Sequence, residues 1–316
     1  RFWWEVDNAK GRDDDQYRTC HKGGDFCRYF GNMDYLVNWS PASRFHYKSD
    51  FVARITPEHL WGVAGITWTK ITSALPSFRQ MPAGGIAETG GPAIFPKSPD
   101  LIIPTLGFLN SIVATELLKA TSPTLNLQTA DILNLPLYLP GTIISEVVAV
   151  TGQLVELSKT DHNLLETAPT FQCNVLVCAS VHQETLTSAW LEYTATQNRA
   201  RSCSRFLQEK NNILFIEAYG VAGVIKPDVP EAQVTLARPD REKDCQRLIS
   251  YAVGCMMGRY SLAEKGLMYA HAGNAEFDPS RYNKKFPADA DGILPLTDDR
   301  WFEDDGAIRV REFLRT

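Results

Sequence analysis

Hydrophobic residues recur at helical spacing about a third of the way along the chain. The stripe consists of Leu106, Leu109, Val113, Leu117 and Ala120. Spacings of three and four place these residues on one face of an α-helix, and further apolar residues between them are typical of a helix covered on several sides. The pattern predicts one buried helix over 106–120, with Thr105 as its N-cap and Pro123 beyond its end.

The segment after this helix is predicted to be extended. Residues 124–139 begin with a polar turn and continue with leucines and one isoleucine separated by polar residues, and Pro136 and Pro140 close the run. This pattern is typical of a strand. We therefore expect a buried helix that returns into a strand, which is a scaffold without an obvious catalytic residue.

The first 60 residues are rich in aromatic and polar residues and poor in helical periodicity. Residues 28–39 have the pattern of two short strands around a Gly31-Asn32 turn. We interpret 1–140 as one domain of irregular strands around the buried helix.

From Gly141 onward the pattern is helical. It predicts a long helix over 143–158, a second over 206–219 that Gly220 ends, a third over 245–257 that Asp240 caps, and a short one through Phe313. The sequence therefore predicts an α+β fold. An irregular mixed-strand domain around the buried helix is predicted over 1–140, and a mainly helical C-terminal domain over 141–316.

Composition and charge limit the classes of function. The chain has 316 residues, of which 44% are hydrophobic and 22% charged, and its net charge is −5. The net charge argues against nucleic-acid binding by the chain as a whole, which usually shows as a basic domain, but residues 1–100 carry 12 Lys/Arg against 11 Asp/Glu, whereas 161–316 carry 18 against 22. If one part faces a polyanion, we expect it to be the first third.

The cysteines and the termini point to a reducing compartment and to a longer parent protein. The seven cysteines form no Cys-x-x-Cys pair, which favours a cytoplasmic location. No run of about 18 apolar residues predicts a membrane span, so no membrane partner is expected. The first residue is Arg1, and we interpret the chain as a piece of something longer.

Candidate metal sites and catalytic motifs have simpler explanations. Cys20, His21 and Cys27 fall short of the four ligands of a structural zinc site, so loop residues are the favoured interpretation. The run 13–15 of three aspartates is interpreted as a solvated turn, and His182 with Glu184 lacks the cysteine motif of zinc deaminases. No nucleophile elbow, dinucleotide fingerprint or phosphate loop is present, so no catalytic, cofactor or metal residue is predicted.

Basic, amide and aromatic residues in the first domain are suited to nucleic acid. Lys22 precedes two glycines that could let the backbone approach a phosphate, and Arg28, Asn38 and Arg79 carry side chains that can bind base edges. Three tryptophans could stack on bases or fill the core, and the core is favoured: Trp39, Trp61 and Trp68.

Ordered blocks of sequence along nearly the whole chain resemble the PglX-type adenine-specific DNA methyltransferases of BREX phage-defence systems. The blocks are Lys22–Trp39, Gly65–Thr69, Ser77–Pro82, Pro92–Pro96, Gly107–Ser111, Thr124–Gln128, Leu248–Leu262 and Trp301–Asp305. In this family a recognition domain reads DNA while a separate domain binds S-adenosylmethionine and methylates a flipped adenine. The resemblance implies a target-recognition region joined to a helical region.

The resemblance also implies what this chain lacks and what it contacts. The Asn/Asp-Pro-Pro-Tyr/Phe motif of the catalytic domain is absent, so methyl transfer and S-adenosylmethionine binding are expected of the parent enzyme and not of this chain. Double-stranded DNA is the implied partner, together with other subunits of the defence complex. The implied DNA face consists of Lys22, Arg28, Asn38, Thr67, Trp68, Ser77 and Arg79.

Two alternatives belong to other classes of function. The acidic helical half, with Met256-Met257 and the acidic cluster at 301–305, could instead dock other defence-complex subunits. A metal-dependent hydrolase that uses scattered carboxylates is the third hypothesis.

Overall fold

A computed structural model describes residues 1–2, 5–6, 16–53, 55–122, 124–180, 185–269, 277–299 and 301–316. The chain divides into two compact units, each discontinuous in sequence. The unit that we call the sheet unit comprises Arg12–His162 and Arg199–Ala237. The other, which we call the C-terminal unit, comprises Arg1–Gly11, Asn163–Asn198 and Arg238–Thr316. The domain boundary between 140 and 141 stays a prediction, although compactness groups residues 141–162 with the preceding segment.

Two small three-stranded sheets lie in the sheet unit. In the first, β1 pairs antiparallel with β2 and parallel with β5. In the second, β3 pairs antiparallel with both β4 and β6, and Trp68 lies opposite Phe78. The strands are β1 (Tyr17–His21), β2 (Tyr35–Asn38), β3 (Gly65–Trp68), β4 (Phe78–Met81), β5 (Ile86–Ala87) and β6 (Ala93–Ile94).

Nine α-helices complete the part of the chain that the structure describes. They are α1 (Pro41–Ser49), α2 (Ile102–Leu109), α3 (Ile112–Thr121), α4 (Thr129–Leu133), α5 (Gly141–His162), α6 (Val175–Ser180), α7 (Leu186–Ala218), α8 (Arg241–Met256) and α9 (Gly306–Phe313). The predicted α+β fold with a mainly helical C-terminal part is therefore confirmed.

The buried helix predicted over 106–120 is two helices, α2 and α3, bent by 74°. The break lies where Asn110 uses its amide to bond the backbone of Phe78, at 3.1 Å from the Phe78 N–H and 2.9 Å to its carbonyl. Ser111 then caps α3 by accepting the Ala114 N–H. Thr105 lies inside α2 and is buried, so its prediction as an N-cap was wrong, and Pro123 lies outside the described residues.

Two predicted strands are also corrected. Residues 124–139 contain the short helix α4, because the Asp131 carboxylate accepts the Gln128 N–H at 2.7 Å and closes a helical first turn. In 28–39 only β2 is a strand, and it pairs with β1 and not with 28–30. Tyr29 and Asn32 have φ values of +70° and +55°, which interrupt an extended chain.

The predicted helices after residue 141 are confirmed. Helix α5 and helix α7 are longer than their predicted cores, and Gly220 follows α7 with a φ of +65°. Asp240 caps α8 by accepting the N–H groups of Glu242 and Lys243. Cys173 and Cys178 form a disulfide that the sequence did not predict. Within the described residues no single helix is both long and apolar enough to cross a membrane, and only the bent α2–α3 pair reaches that criterion jointly.

The core of the sheet unit joins the second sheet, through β3, β4 and β6, to α2, α3, α5 and the second part of α7. Phe108 of α2 stacks on Tyr219 and tilts against Phe215, at ring-centroid distances of 5.8 and 5.5 Å. Gly107 lets α2 and α5 approach closely, because a β-carbon there would collide with the Thr151 hydroxyl. The C-terminal unit has its own aromatic core around Phe171, Tyr251, Tyr260, Phe286 and Phe313.

Candidate nucleic-acid interface

Five of the seven residues predicted to contact DNA are buried. Thr67 and Trp68 have no exposed surface, and Arg79, Arg28 and Ser77 are at most 4% exposed. A side chain enclosed in this way touches DNA only after the surrounding fold opens. Their predicted DNA contacts are untested, but in this conformation their positions are interior ones.

Thr67 and Trp68 belong to β3 and tie that strand to its neighbours. The Thr67 hydroxyl donates to the Pro92 carbonyl at 2.9 Å, and the Trp68 indole N–H donates to the Leu127 carbonyl at 3.0 Å. Trp68 also packs against Phe78 on β4. The tryptophan therefore fills the core, as the favoured interpretation of the sequence had it, and satisfies its one donor there.

Arg79 extends from β4 beneath the loops that follow β1 and β3. Its guanidinium donates to the Cys27 carbonyl at 3.3 Å and to the Thr69 hydroxyl at 3.4 Å, while its Nε finds no partner among the described residues. Burial lowers the pKa of Arg79, although a guanidinium keeps its proton in proteins. The buried Arg79 side chain thus connects these two loops through hydrogen bonds.

Arg28 performs a similar role at a different contact. Its guanidinium donates to the Gln208 amide oxygen on α7 at 3.2 Å, and its backbone N–H donates to the Thr235 hydroxyl. Burial lowers the pKa of Arg28 as well. This residue joins the segment after β1 to residues almost 200 positions later in the chain, within the same unit.

Lys22 and Asn38 retain surface. The Lys22 ammonium lies 5.0 Å from the centroid of the Tyr35 ring at the start of β2, and the side chain is exposed. The Asn38 amide oxygen accepts the Ser40 N–H at 3.0 Å at the end of β2. Asn38 follows Tyr35 by three residue steps along β2, which corresponds to about 10 Å. Of the seven predicted residues, these two are the ones placed where DNA has access.

The glycines beside Lys22 have a packing role. Gly23 has a φ of +89°, and a β-carbon on it would collide with the Gly90 carbonyl. A β-carbon on Gly91 would in turn collide with the His21 carbonyl and the Gly23 amide. The two loops therefore approach closely because both lack side chains. The prediction that a phosphate uses this backbone stays untested.

His21, which the sequence associated with Cys20 and Cys27, is enclosed beside a small cavity. The cavity of about 70 Å³ is lined by Thr19, His21, Met33 and residues 82–85. Neither ring nitrogen of His21 has a partner among the described residues, and burial, with nearby Arg79, lowers its pKa to about 4.

The two cysteines near His21 are protonated thiols. Burial raises the pKa of Cys20 and of Cys27 to about 11. Within the described residues no three His, Cys, Asp or Glu side chains are placed to hold a metal ion. The aspartates at 13–15 and the His182–Glu184 motif lie outside those residues.

Helix α1 is a candidate that the sequence analysis missed. Its run Arg44-Phe-His-Tyr-Lys48 interleaves basic and aromatic residues, and the helix contains no acidic residue. None of its nine residues is buried, so it lacks the apolar periodicity by which the other helices were found. The signal that could have identified it is the alternation of basic and aromatic residues after the Ser40-Pro41 helix start.

Ion pairing differs between two parts of the sheet unit. We call residues 16–100 the sheet half, and residues 101–162 with 199–237 the helical half. In the helical half five cations form ion pairs with carboxylates: Lys119, Lys159, Arg201, Arg205 and Lys210. In the sheet half Lys48 pairs with Glu58.

Four other cations of the sheet half have no carboxylate in ion-pair contact among the described residues: Lys22, Arg44, Lys70 and Lys97. Lys226 is the corresponding exception in the helical half. The uncompensated positive charge of this unit is therefore concentrated in the sheet half.

Comparison with known proteins gives a consistent assignment. No family profile matches the chain. The chain is 31% identical to the adenine-specific methyltransferase BrxX of Escherichia coli O9:H4 (strain HS), in an alignment that covers 100% of this chain and 28% of that protein. It is also 31% identical to the adenine-specific methyltransferase PglX of Lacticaseibacillus casei (strain Zhang), over 94% of this chain and 25% of that protein.

The chain thus spans about a quarter of the length of these curated relatives. The similarity extends along the whole chain, as the ordered blocks predicted. The predicted resemblance is therefore confirmed, and the chain is related over its full length to the PglX-type adenine-specific methyltransferases of BREX systems.

Proposed function

We propose that this chain supplies DNA target recognition for an adenine-specific, S-adenosylmethionine-dependent DNA methyltransferase in phage defence. The observation that carries the proposal is the set of cations in the sheet half, namely Lys22, Arg44, Lys70 and Lys97, that have no carboxylate in ion-pair contact within the described part of the chain. Phosphate contacts by lysine and arginine provide most of the affinity of non-specific DNA binding. The names of the relatives supply the target base, adenine.

Methyl transfer itself is proposed to lie elsewhere in the full-length enzyme. The chain has no Asn/Asp-Pro-Pro-Tyr/Phe motif, so we assign S-adenosylmethionine binding and catalysis on the flipped adenine to other parts of the methyltransferase. The partner of this chain is double-stranded DNA, and the location that follows from such a partner is the cytoplasm.

Salt-dependent DNA binding tests the proposal directly. The 316-residue chain would be titrated into fluorescently labelled mixed-sequence duplex DNA at about 50 and about 200 mM salt, since each phosphate contact adds about 0.9 to the slope of log affinity against log salt. We expect binding that weakens steeply with salt. Absence of binding at the lower salt concentration, with the chain folded by circular dichroism, would contradict the proposal.

A protein-interaction role is the second candidate, and one observation favours it. In the C-terminal unit Trp301 is 76% exposed and Phe302 is 51% exposed, beside Glu303 and Asp304. Exposed aromatic residues are enriched where proteins bind each other. Met256, which the sequence analysis assigned to this surface, is instead fully buried. Capture of a purified defence-complex subunit without DNA, lost in Trp301→Ala, would favour this role.

A further inference from the structure

One side of helix α1 contacts residues at the end of β2, and the other side is exposed to solvent. The Tyr47 hydroxyl donates to the Asn38 carbonyl at 3.0 Å, and the Tyr47 ring lies 6.2 Å from Trp39. Trp39 is buried and meets Trp61 edge to face at 4.9 Å. Because α1 leaves β2 after two residues and is fixed by this aromatic contact, its orientation is set by the sheet that carries it.

The opposite side of α1 presents small, aromatic and hydrogen-bonding groups to solvent. With 3.6 residues per turn, one exposed face is formed by Ala42, Phe45, His46 and Ser49. Phe45 is 75% exposed, which removes it from any role in packing within the described part of the chain. The face has no acidic side chain, and the cation that flanks it is Lys48, which forms an exposed ion pair with Glu58. Arg44 lies on the other side of the helix, next to Tyr47.

These groups match the edges of base pairs in the major groove. Alanine and phenylalanine contact the methyl group of thymine, and histidine and serine can hydrogen-bond to base edges. A helix of nine residues is about 14 Å long, and the major groove is about 12 Å wide and admits an α-helix. Lys48, at the edge of this face, is complementary to the phosphates beside the groove, because an exposed ion pair such as Lys48–Glu58 contributes little to stability and can be exchanged for a phosphate contact.

We propose that α1 is the element that reads DNA sequence, with its Ala42–Phe45–His46–Ser49 face in the major groove and Lys48 on the phosphate backbone. This inference rests on the proposed function and identifies the recognition surface within it. Lys22, which directly follows the neighbouring strand β1 and lies over Tyr35 at the other end of β2 from α1, provides a second phosphate contact. Duplex DNA is favoured over a protein partner because α1 carries basic residues and no acidic one.

The experiment separates sequence reading from general affinity. Duplexes that the wild-type 316-residue chain prefers would be selected from a randomised pool, and their affinities compared with those of the unselected pool. The variants are Phe45→Ala/His46→Ala, the milder His46→Gln, and Lys48→Gln. The matched controls are Phe206→Ala and Arg205→Gln in the helical half, where Phe206 is 63% exposed and Arg205 pairs with Glu209.

The proposal predicts a distinct pattern. Phe45→Ala/His46→Ala lowers affinity for the selected duplexes about tenfold or more and hardly changes affinity for the unselected pool. His46→Gln gives a smaller loss of the same kind. Lys48→Gln weakens binding to both sets by a similar factor and lowers the salt slope by about 1. The two controls match the wild type.

Two other outcomes have different meanings. If the wild-type chain binds DNA with sequence preference and the α1 variants keep that preference, α1 does not read the sequence, although the proposed function stands. If the folded wild-type chain binds no duplex at all, the proposed function fails and this inference fails with it. Loss of binding to both DNA sets in Phe206→Ala would also overturn the assignment to α1.

Discussion

The sheet half and the helical half of the sheet unit share one hydrophobic core but treat their charged residues differently. In the helical half five cations pair with carboxylates, mostly one turn away along the same helix. In the sheet half Lys22, Arg44, Lys70 and Lys97 remain uncompensated among the described residues, and two further arginines are enclosed. Surface ion pairs contribute about 0–1 kcal/mol each, so the difference bears on partners more than on stability.

The sheet half itself contains two classes of cation, buried and exposed. Arg28 and Arg79 are in the sheet half and have side chains suited to base contacts, yet the guanidinium groups of both donate hydrogen bonds inside the protein. Arg44 and Lys22 have less distinctive sequence contexts, yet they lie at the surface. The type of side chain therefore identifies a candidate DNA contact, but only an exposed side chain can bind a ligand in this conformation.

The largest loss of folding stability is predicted for Trp68→Ala in the sheet half. Because Trp68 is fully enclosed and bonded to Leu127, truncation creates a cavity and leaves a carbonyl unpaired. We expect the free energy of unfolding to fall by about 3–5 kcal/mol. Denaturant titration at constant temperature measures it. Phe45→Ala, which removes an exposed ring, should change that free energy by no more than about 0.5 kcal/mol. Similar losses from both substitutions would show that α1 is part of the core.

Acid sensitivity is predicted to depend on His21 in the sheet half. Burial lowers its pKa from 6.5 to about 4. Between about pH 4 and pH 6.5, His21 is therefore protonated in the unfolded chain and neutral in the folded chain. Stability is therefore unaffected above about pH 6.5, falls as pH decreases toward 4, and has then lost about 3 kcal/mol. His21→Leu should abolish this part of the loss.

The measurement is the difference between variant and wild type. Free energies of unfolding would be compared at pH 7.5 and pH 4.5, so that the titration of other groups cancels. Neither ring nitrogen has a described partner, so leucine costs little at neutral pH. An equal pH dependence in both proteins would mean that His21 is protonated inside the folded state.

Much of the fold was predictable because it follows from apolar periodicity. Helices α5 and α8 bury a stripe at spacings of three and four, and Asp240 is a local cap, so sequence patterns suffice. The break between α2 and α3 was missed because Asn110 bonds to Phe78, a partner 32 residues away that periodicity does not reveal. Helix α4 was missed because its short turn depends on one cap, not on a stripe.

The candidate site was less predictable than the fold. Arg79 and Lys22 are equally basic in the sequence, and only the packing of loops around β4 determines that the first is enclosed. Helix α1 was missed because none of its residues is buried, so its sequence has no apolar periodicity that would predict a helix. The family resemblance succeeded for a different reason, since ordered blocks over the whole chain do not depend on which residues are buried.

A smaller effect is expected from Arg79→Ala. The substitution removes hydrogen bonds to Cys27 and Thr69 from a buried position, and the loss of an enclosed charge offsets part of the cost. We expect the free energy of unfolding to fall by about 2 kcal/mol, while the folded protein keeps its salt slope for DNA. Calorimetry and anisotropy on the same sample measure the two quantities. A reduced salt slope with unchanged stability would show that Arg79 contacts DNA, as the sequence predicted.

The smallest effect on stability, and the sharpest on DNA, is expected from Lys22→Ala. Lys22 is exposed and contacts one aromatic ring, so its loss should cost no more than about 1 kcal/mol of folding stability. If it holds a phosphate, binding to all duplexes weakens similarly and the salt slope falls by about 1. Lys119→Ala is the matched control, because Lys119 is similarly exposed but paired with Glu116 in the helical half. Equal changes in salt slope for the two variants would mean that ion pairing does not distinguish the halves, because a lysine already paired would then bind DNA as well as an uncompensated one.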